Sequence, residues 1–273
     1  MNKEIKQIIE SALFEDIPTI DVSSHFLFTD QESSGNFIAK ENGVISGIDV
    51  CMEVFKTIDE TTEFSILKPN GSSVNKGDII AKVRGKTKSI LMSERVGLNF
   101  LQRMSGVATL TNLFVKETKG YSTVILDTRK TTPLLRILEK KAVVDGGGTN
   151  HRMNLSEMVM LKDNHIKAAG SIIKAVELVR KNVGKDMKIE VEVENLEKFK
   201  EALNSDADII MLDNMSNDLM TTCVKLNNHK KVLEASGNMT VDRIKSVCAT
   251  GVDTISVGAI THSYPSLDIS LKF

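Results

Sequence analysis

Apolar positions change their spacing several times along the first part of the chain. Ile5, Ile8, Ile9 and Leu13 recur at helical intervals and predict an amphipathic helix at the start. Short runs of strand character follow at residues 36–40 and 43–46, then a helical pattern over 49–58. Residues 70–83, punctuated by Gly71 and Gly77, read as β structure. From about residue 120 the texture is different. Apolar runs of strand length cover 123–127, 158–162, 188–194, 207–213, 231–236 and 253–257, with helical patterns at 171–182, 196–203, 217–226 and 240–248 between them.

Strand and helix alternating over this length predict a parallel α/β architecture. Nearly every strand in that region ends in a residue that chemistry uses: Asp127 with Arg129, Lys162, Glu192, Asp213, Ser236 and Gly258. A barrel gathers all its strand C-termini around one mouth, whereas an open sheet spreads them along a line, so the barrel is the better reading. The change of texture near residue 105 divides the chain into an N-terminal domain, 1–105, and a barrel domain, 106–273, whose last residues have room to return to the first domain.

Composition narrows the partners. Lys plus Arg total 35 against 36 for Asp plus Glu, a net charge of -1 that gives no reason to expect nucleic acid or an anionic membrane. The absence of Trp and the presence of only 2 Tyr count against a base-stacking surface. Cys51, Cys223 and Cys248 stand far apart and outside any metal-binding spacing, as free core thiols do in a reducing cytosol. Mixed charges at Met1 to Lys6, and no apolar run of the ~18 residues that a membrane span needs, lead us to expect a cytoplasmic protein.

Charge is arranged locally instead. Basic residues outnumber acidic ones between Asp127 and Lys167, and acidic residues outnumber basic ones between Asp186 and Asp218. In the basic sector Arg129 and Lys130 follow a strand end, with Pro133 marking a helix start. Gly146, Gly147 and Gly148 then lead to His151 and Arg152. Arg offers a planar fork to carboxylate or phosphate, and Lys a point charge. Lys162 emerges from the apolar run 158–161 as an anion partner or a Schiff-base former. In the acidic sector, residues 188–194 alternate strictly. Helices outside a barrel would cover Ile189, Val191 and Val193 and turn Glu190, Glu192 and Glu194 inward, where they need cations, a metal or hydroxyls. Asp213 ends the next strand and could join Glu192 on a hydrated Mg²⁺ or on sugar hydroxyls. Ser236-Gly237-Asn238 and Val257-Gly258-Ala259, after the late strands, suit a phosphate held by backbone N–H groups.

Several long motifs carry a family resemblance: Glu94-Arg95 with residues 98–106, Asp127-Thr128-Arg129-Lys130-Thr131-Thr132-Pro133, Asn150-His151-Arg152, Lys162-Asp163-Asn164-His165, Glu190-Val191-Glu192-Val193 and Leu212-Asp213-Asn214. The chain resembles the quinolinate phosphoribosyltransferases, the carboxylating nicotinate-nucleotide pyrophosphorylases of de novo NAD biosynthesis, from about Phe14 to Leu267-Asp268-Ile269. The resemblance implies an N-terminal α/β sandwich and an open seven-stranded, TIM-like α/β barrel. It also implies a homodimer, with further assembly open, whose sites lie between one subunit's barrel and the other's N-terminal domain. Quinolinate and phosphoribosyl pyrophosphate would be the substrates, with Mg²⁺. Carried over by position, Arg129, His151, Arg152 and Lys162 would hold the quinolinate carboxylates beside Thr128, and Arg95 would reach in from the partner. Lys130 would serve the pyrophosphate, Glu192 and Asp213 the ribose hydroxyls and the metal, and Ser236 to Asn238 with Val257 to Ala259 the 5′-phosphate. Lys162, Glu192 and Asp213 would be the catalytic residues. Ile20-Asp21 stands where the family usually has Gly-Asp, and Pro133-Leu134 where it has Pro-Gly, which bears on the conformation of two loops.

Three other readings compete: an aldolase acting through a Lys162 Schiff base, the homologous molybdenum-transport-associated family, and a silent phosphosugar-binding module. The run from Lys162 to His165 is similar to the quinolinate enzymes rather than to the molybdenum-associated ones.

Overall fold

The computed structural model describes residues 1–273. In chain order its elements are α1 (Lys3–Asp16), α2 (Val22–Leu27), β1 (Glu32–Ala39), β2 (Gly43–Val44), α3 (Ile48–Ile58), β3 (Glu63–Ile66), β4 (Ser73–Val74), β5 (Ile79–Lys86) and α4 (Thr87–Glu117). There follow β6 (Val124–Leu126), α5 (Arg136–Asp145), β7 (Val159–Leu161), α6 (Asp163–Ala169), α7 (Ile172–Val183), β8 (Ile189–Val193), α8 (Leu196–Leu203) and β9 (Ile209–Asp213). The last are α9 (Asn217–Asn227), β10 (Val232–Ser236), α10 (Val241–Cys248), β11 (Thr254–Ser256), α11 (Ala259–His262) and β12 (Ile269–Lys272). Two compact units result. Unit 1 takes Met1–Asn112, Thr131–Gly147 and Ile260–Phe273, and unit 2 takes Leu113–Lys130 and Gly148–Ala259.

Unit 1 is built on an antiparallel sheet in the order β12-β1-β5-β3. Its last strand pairs Ala39 with Ile269 and Asn36 with Lys272, so the end of the chain completes the first sheet. The core gathers Phe37 from β1, Phe55 from α3 and Phe64 from β3, with ring centroids 5.3 to 5.7 Å apart. Each such pair adds about 0.5–1.5 kcal/mol beyond the area it buries. Helix α4 runs 31 residues, straight through position 105. A Cβ on its Gly106 would lie 2.2 Å from the Pro265 carbonyl oxygen, so only glycine admits the C-terminal segment there.

Unit 2 is a six-stranded parallel sheet in the order β6-β11-β10-β9-β8-β7. The first strand in sequence pairs with the last, which is how a barrel closes. A single parallel bridge between Leu126 and Thr149 stands beside β6, and the sheet has six strands where the resemblance implied seven. The barrel is open between that bridge and β7. Ile189, Val191 and Val193 are fully buried on the outward face of β8. Phe199 and Ala202 of α8, with Ile172, Ala175 and Val176 of α7, supply buried apolar surface in the surrounding helices. Asp208, just before β9, accepts from the Ile189 amide at 2.9 Å and from the Arg180 guanidinium at 2.6 Å, fixing β8 against its neighbour.

Pro133 does not begin a helix. α5 starts at Arg136, and a turn intervenes in which Leu134 has φ 67 and is 87% exposed. This is the position where the family pattern has glycine. A left-handed conformation costs an L-residue about 1–2 kcal/mol, of which glycine gives back about 0.5–1 through its looser unfolded chain. Leu134→Gly is therefore expected to raise stability by about 0.5–1 kcal/mol and Tm by about 1–4 °C. A Tm that stays put or falls in differential scanning calorimetry would show that the turn holds no strain.

Candidate active site

Period-two alternation along the strands of unit 2 aims one set of side chains at the strand C-termini. Met160 comes from β7 and Lys162 follows it, Glu192 comes from β8, Met211 and Asp213 from β9, Glu234 and Ser236 from β10, and Ser256 from β11. Together with Thr128, Arg129, Lys130, His151, Arg152, Asn214, Gly237 and Asn238 they line a cavity of ≈ 560 Å³. The residues expected at 128–130, 151, 152, 162, 192, 213 and 236–238 thus meet at one place. Val257, Gly258 and Ala259 are not in the lining, although Ser256 before them is. Arg95 is exposed on α4 of unit 1, and the cavity is lined by unit 2 alone. Met160, Met211, Asn214, Glu234 and Ser256 were not anticipated. Glu234 and Ser236 share strand parity, and that was the available signal.

The basic wall sets like charges close together. Burial lowers the basicity of Arg152, and the charge of Arg129 lowers it further. Two guanidinium groups kept near each other in a concave site have the chemistry to receive an anion that neutralises both. Arg152 also spans the opening of the barrel. Its Nη1 donates to the Met158 carbonyl at 2.8 Å and its Nη2 lies 3.7 Å from Met160 Sδ. Across the cavity Lys162 Nζ meets Glu192 Oε2 at 3.1 Å. Lys162 is exposed and ion-paired, unlike a Schiff-base lysine desolvated in an apolar pocket.

The three inward glutamates of the 188–194 run prove unequal. Glu194 is exposed past the strand end and pairs with Lys198, Glu192 faces the cavity, and Glu190 is fully buried beneath it. There His151 Nε2 lies 3.2 Å from Glu190 Oε2 and 3.5 Å from Glu234 Oε2. Glu234 is also buried, and no donor is aligned on either Glu190 oxygen or on Glu234 Oε1. Burial raises the Glu190 carboxyl well above the usual range, and the neighbouring Glu234 charge adds to this against the lowering effect of His151. Burial opposes a charge on His151, but contacts with both glutamates outweigh it and push the imidazole up to about 10. The Arg152 amide donates to Nδ1 at 2.8 Å, which leaves no room for a proton on that nitrogen. The array accordingly keeps its extra proton on the carboxylate side of the ring. These three side chains form a close-set group of possible metal-ligand atoms, all within 4.8 Å of one another.

A polar loop completes the rim. Gly237 has φ +94, and a Cβ there would lie 2.2 Å from Asn214 Oδ1. Arg243 from α10 donates to the Gly237 carbonyl at 2.8 Å and to the Met215 carbonyl at 3.1 Å, tying the turns after β9 and β10 together. The loop is therefore presented in one shape.

Models of the quinolinate phosphoribosyl transferase N-terminal and C-terminal domains match residues 21–105 and 107–272. The chain belongs to the quinolinate phosphoribosyltransferase family. A probable carboxylating nicotinate-nucleotide pyrophosphorylase from Synechocystis is 43% identical over 267 residues, 97% of this chain and 90% of that one. Its counterpart from Bacillus subtilis is 41% identical over 98% of this chain and 93% of its own. The crystal structure of NadC from Streptococcus pyogenes superposes with a TM-score of 0.96 at 39% identity, covering 98% of this chain and 95% of that one. This quinolinate phosphoribosyltransferase homologue thus has the family's fold over nearly its whole length. No helix is long and apolar enough to cross a membrane.

Gly237→Ala should lower stability by about 1–3 kcal/mol, because the new methyl must displace Asn214 and adopt a left-handed φ. The midpoint of urea denaturation reads this out, and an unshifted midpoint would mean that the loop adjusts without cost.

Proposed function

We propose that the cavity binds quinolinate and phosphoribosyl pyrophosphate and forms nicotinate mononucleotide, pyrophosphate and CO₂. The observation that carries the reading is the pair of neighbouring guanidinium groups, Arg129 and Arg152, facing an acidic wall across one cavity. Relatives sharing about two residues in five carry the matching names over almost the full length of the chain.

Arg129, Arg152 and Lys162 hold the two carboxylates of the pyridine, with His151 in the wall beside them. Lys130 faces the pyrophosphate. Ser236 to Asn238 and the turn from Ser256 into Val257–Ala259 cradle the 5′-phosphate, and Glu192 and Asp213 take the ribose hydroxyls. The pyridine nitrogen attacks ribose C1 as the bond from C1 to pyrophosphate breaks, its electron pair leaving with pyrophosphate. The bond to the 2-carboxylate then breaks, CO₂ departs, and the pair left on C2 takes a proton. Positioning and charge stabilisation supply the rate, with no covalent nucleophile. The carboxylates of Glu192 and Asp213 also suit Mg²⁺, which prefers oxygen donors and keeps several waters, and which would neutralise charge on the pyrophosphate.

The dimer belongs to the same proposal. Phe14, Val22, Phe26 and Leu27, on the first two helices of unit 1, are 64 to 79% exposed, an apolar surface that a second subunit would cover. Arg95 then serves the partner's cavity. We place the protein in the reducing cytoplasm, where its three buried cysteines stay as free thiols.

Arg129→Ala should lower kcat/KM for quinolinate by about 10²-fold or more, the loss expected of a charged bidentate contact. Turnover within a few-fold of the parent, followed as nicotinate mononucleotide and CO₂, would overturn the assignment. Mixing Arg95→Ala and Arg129→Ala proteins should restore about a quarter of parental activity, since half the dimers are mixed and each has one intact site. Activity no higher than that of the separate variants would place Arg95 elsewhere.

A further inference from the structure

His151 is held at three points. Its amide donates to Asp127 Oδ1 at 2.8 Å, its Nδ1 accepts from the Arg152 amide at 2.8 Å, and its Nε2 faces the two buried glutamates at 3.2 and 3.5 Å. Both ring nitrogens are thus engaged by the protein. Arg152, the next residue along, places its guanidinium through the Met158 carbonyl. The ring therefore connects Glu190 and Glu234, which lie deeper in the barrel, to the main chain of an anion-binding arginine. The depth of the two glutamates follows from strand register. Glu190 pairs with Ile209 and Glu234 with Met211, below Asp213 and Ser236 at the rim.

We propose that Glu190 and Glu234 are positioning residues for Arg152, acting through His151, and that His151 is a strut beneath the substrate rather than a donor to it. Two carboxylates flanking one N–H edge orient the imidazole with Nε2 down and Nδ1 up. The upper nitrogen then fixes the Arg152 amide and with it the start of the side chain. The residues assign the array to ring orientation and not to a resident cation, because the Nε2–H edge already lies between the carboxylates. The proposal rests on Arg152 binding a substrate carboxylate.

The ligand-free protein tests the strut directly. With ¹⁵N-labelled histidine, the His151 ring, identified by its disappearance in His151→Gln, should show the Nε2–H tautomer with a downfield, slowly exchanging proton. Glu234→Gln should shift that proton, and Glu190→Gln serves equally if the first variant does not fold. In turnover, Glu234→Gln should raise KM for quinolinate about tenfold, leave KM for phosphoribosyl pyrophosphate within about twofold, and add nothing in a His151→Gln background. Additive effects, an equal rise in both KM values, or a loss confined to kcat would overturn the strut. A lower KM for quinolinate would do the same, since it would mean that the glutamates act only as counter-charges. Micromolar Zn²⁺ or Mn²⁺ shifting the His151 ring signals would make the array a metal site instead. Absence of quinolinate turnover in the parent would defeat the proposed function, while the ring spectrum would still decide the strut.

Discussion

A carboxylate carried from water into a protein interior loses several kcal/mol of hydration, and unit 2 brings two of them, Glu190 and Glu234, to the same spot. That arrangement persists only with a cationic or hydrogen-bonding edge between them, and the ring of His151 is that edge. The rest of the cavity follows from it. The glycine-led segment before His151 must run alongside β6, as the Leu126–Thr149 bridge shows, for the ring to reach the interior. Arg152 then emerges beside Arg129, and the basic wall exists because the acidic floor does.

The strands and most helices of unit 2 could be placed from the sequence to within a residue or two, because period two and period 3.6 differ clearly in runs such as 188–194 and 217–226. The pattern was blind to α4. Gly97 and Gly106 lie inside one long helix in the folded chain and let neighbours come close. A residue chosen for what it does not fill leaves the same mark in sequence as a residue chosen to break a helix. Pro133 misled for a related reason. It rigidifies a turn before α5 instead of opening the helix.

For the site, parity revealed which face each residue of 188–194 uses, but not its depth. Three inward glutamates looked alike, whereas register along the neighbouring strand separates one at the floor, one in the cavity and one in solvent. Glu234 was passed over because a single acid within 231–236 has no rhythm of its own. Its meaning comes from β9 and β11 on either side. The charge asymmetry of the chain was legible throughout, since it depends on which segments are basic and which acidic, and the barrel brings both to one mouth.

The opening of the barrel has a consequence for solubility. A sheet that does not close has two bare margins whose amides and carbonyls can recruit a strand from another molecule, a common beginning of aggregation. Here the margin at β7 is spanned by an arginine side chain lodged on the Met158 carbonyl. A planar, charged group occupies the acceptor that an intruding strand would need, and it carries hydration with it. The same guanidinium that lines the cavity therefore also covers part of the sheet's margin.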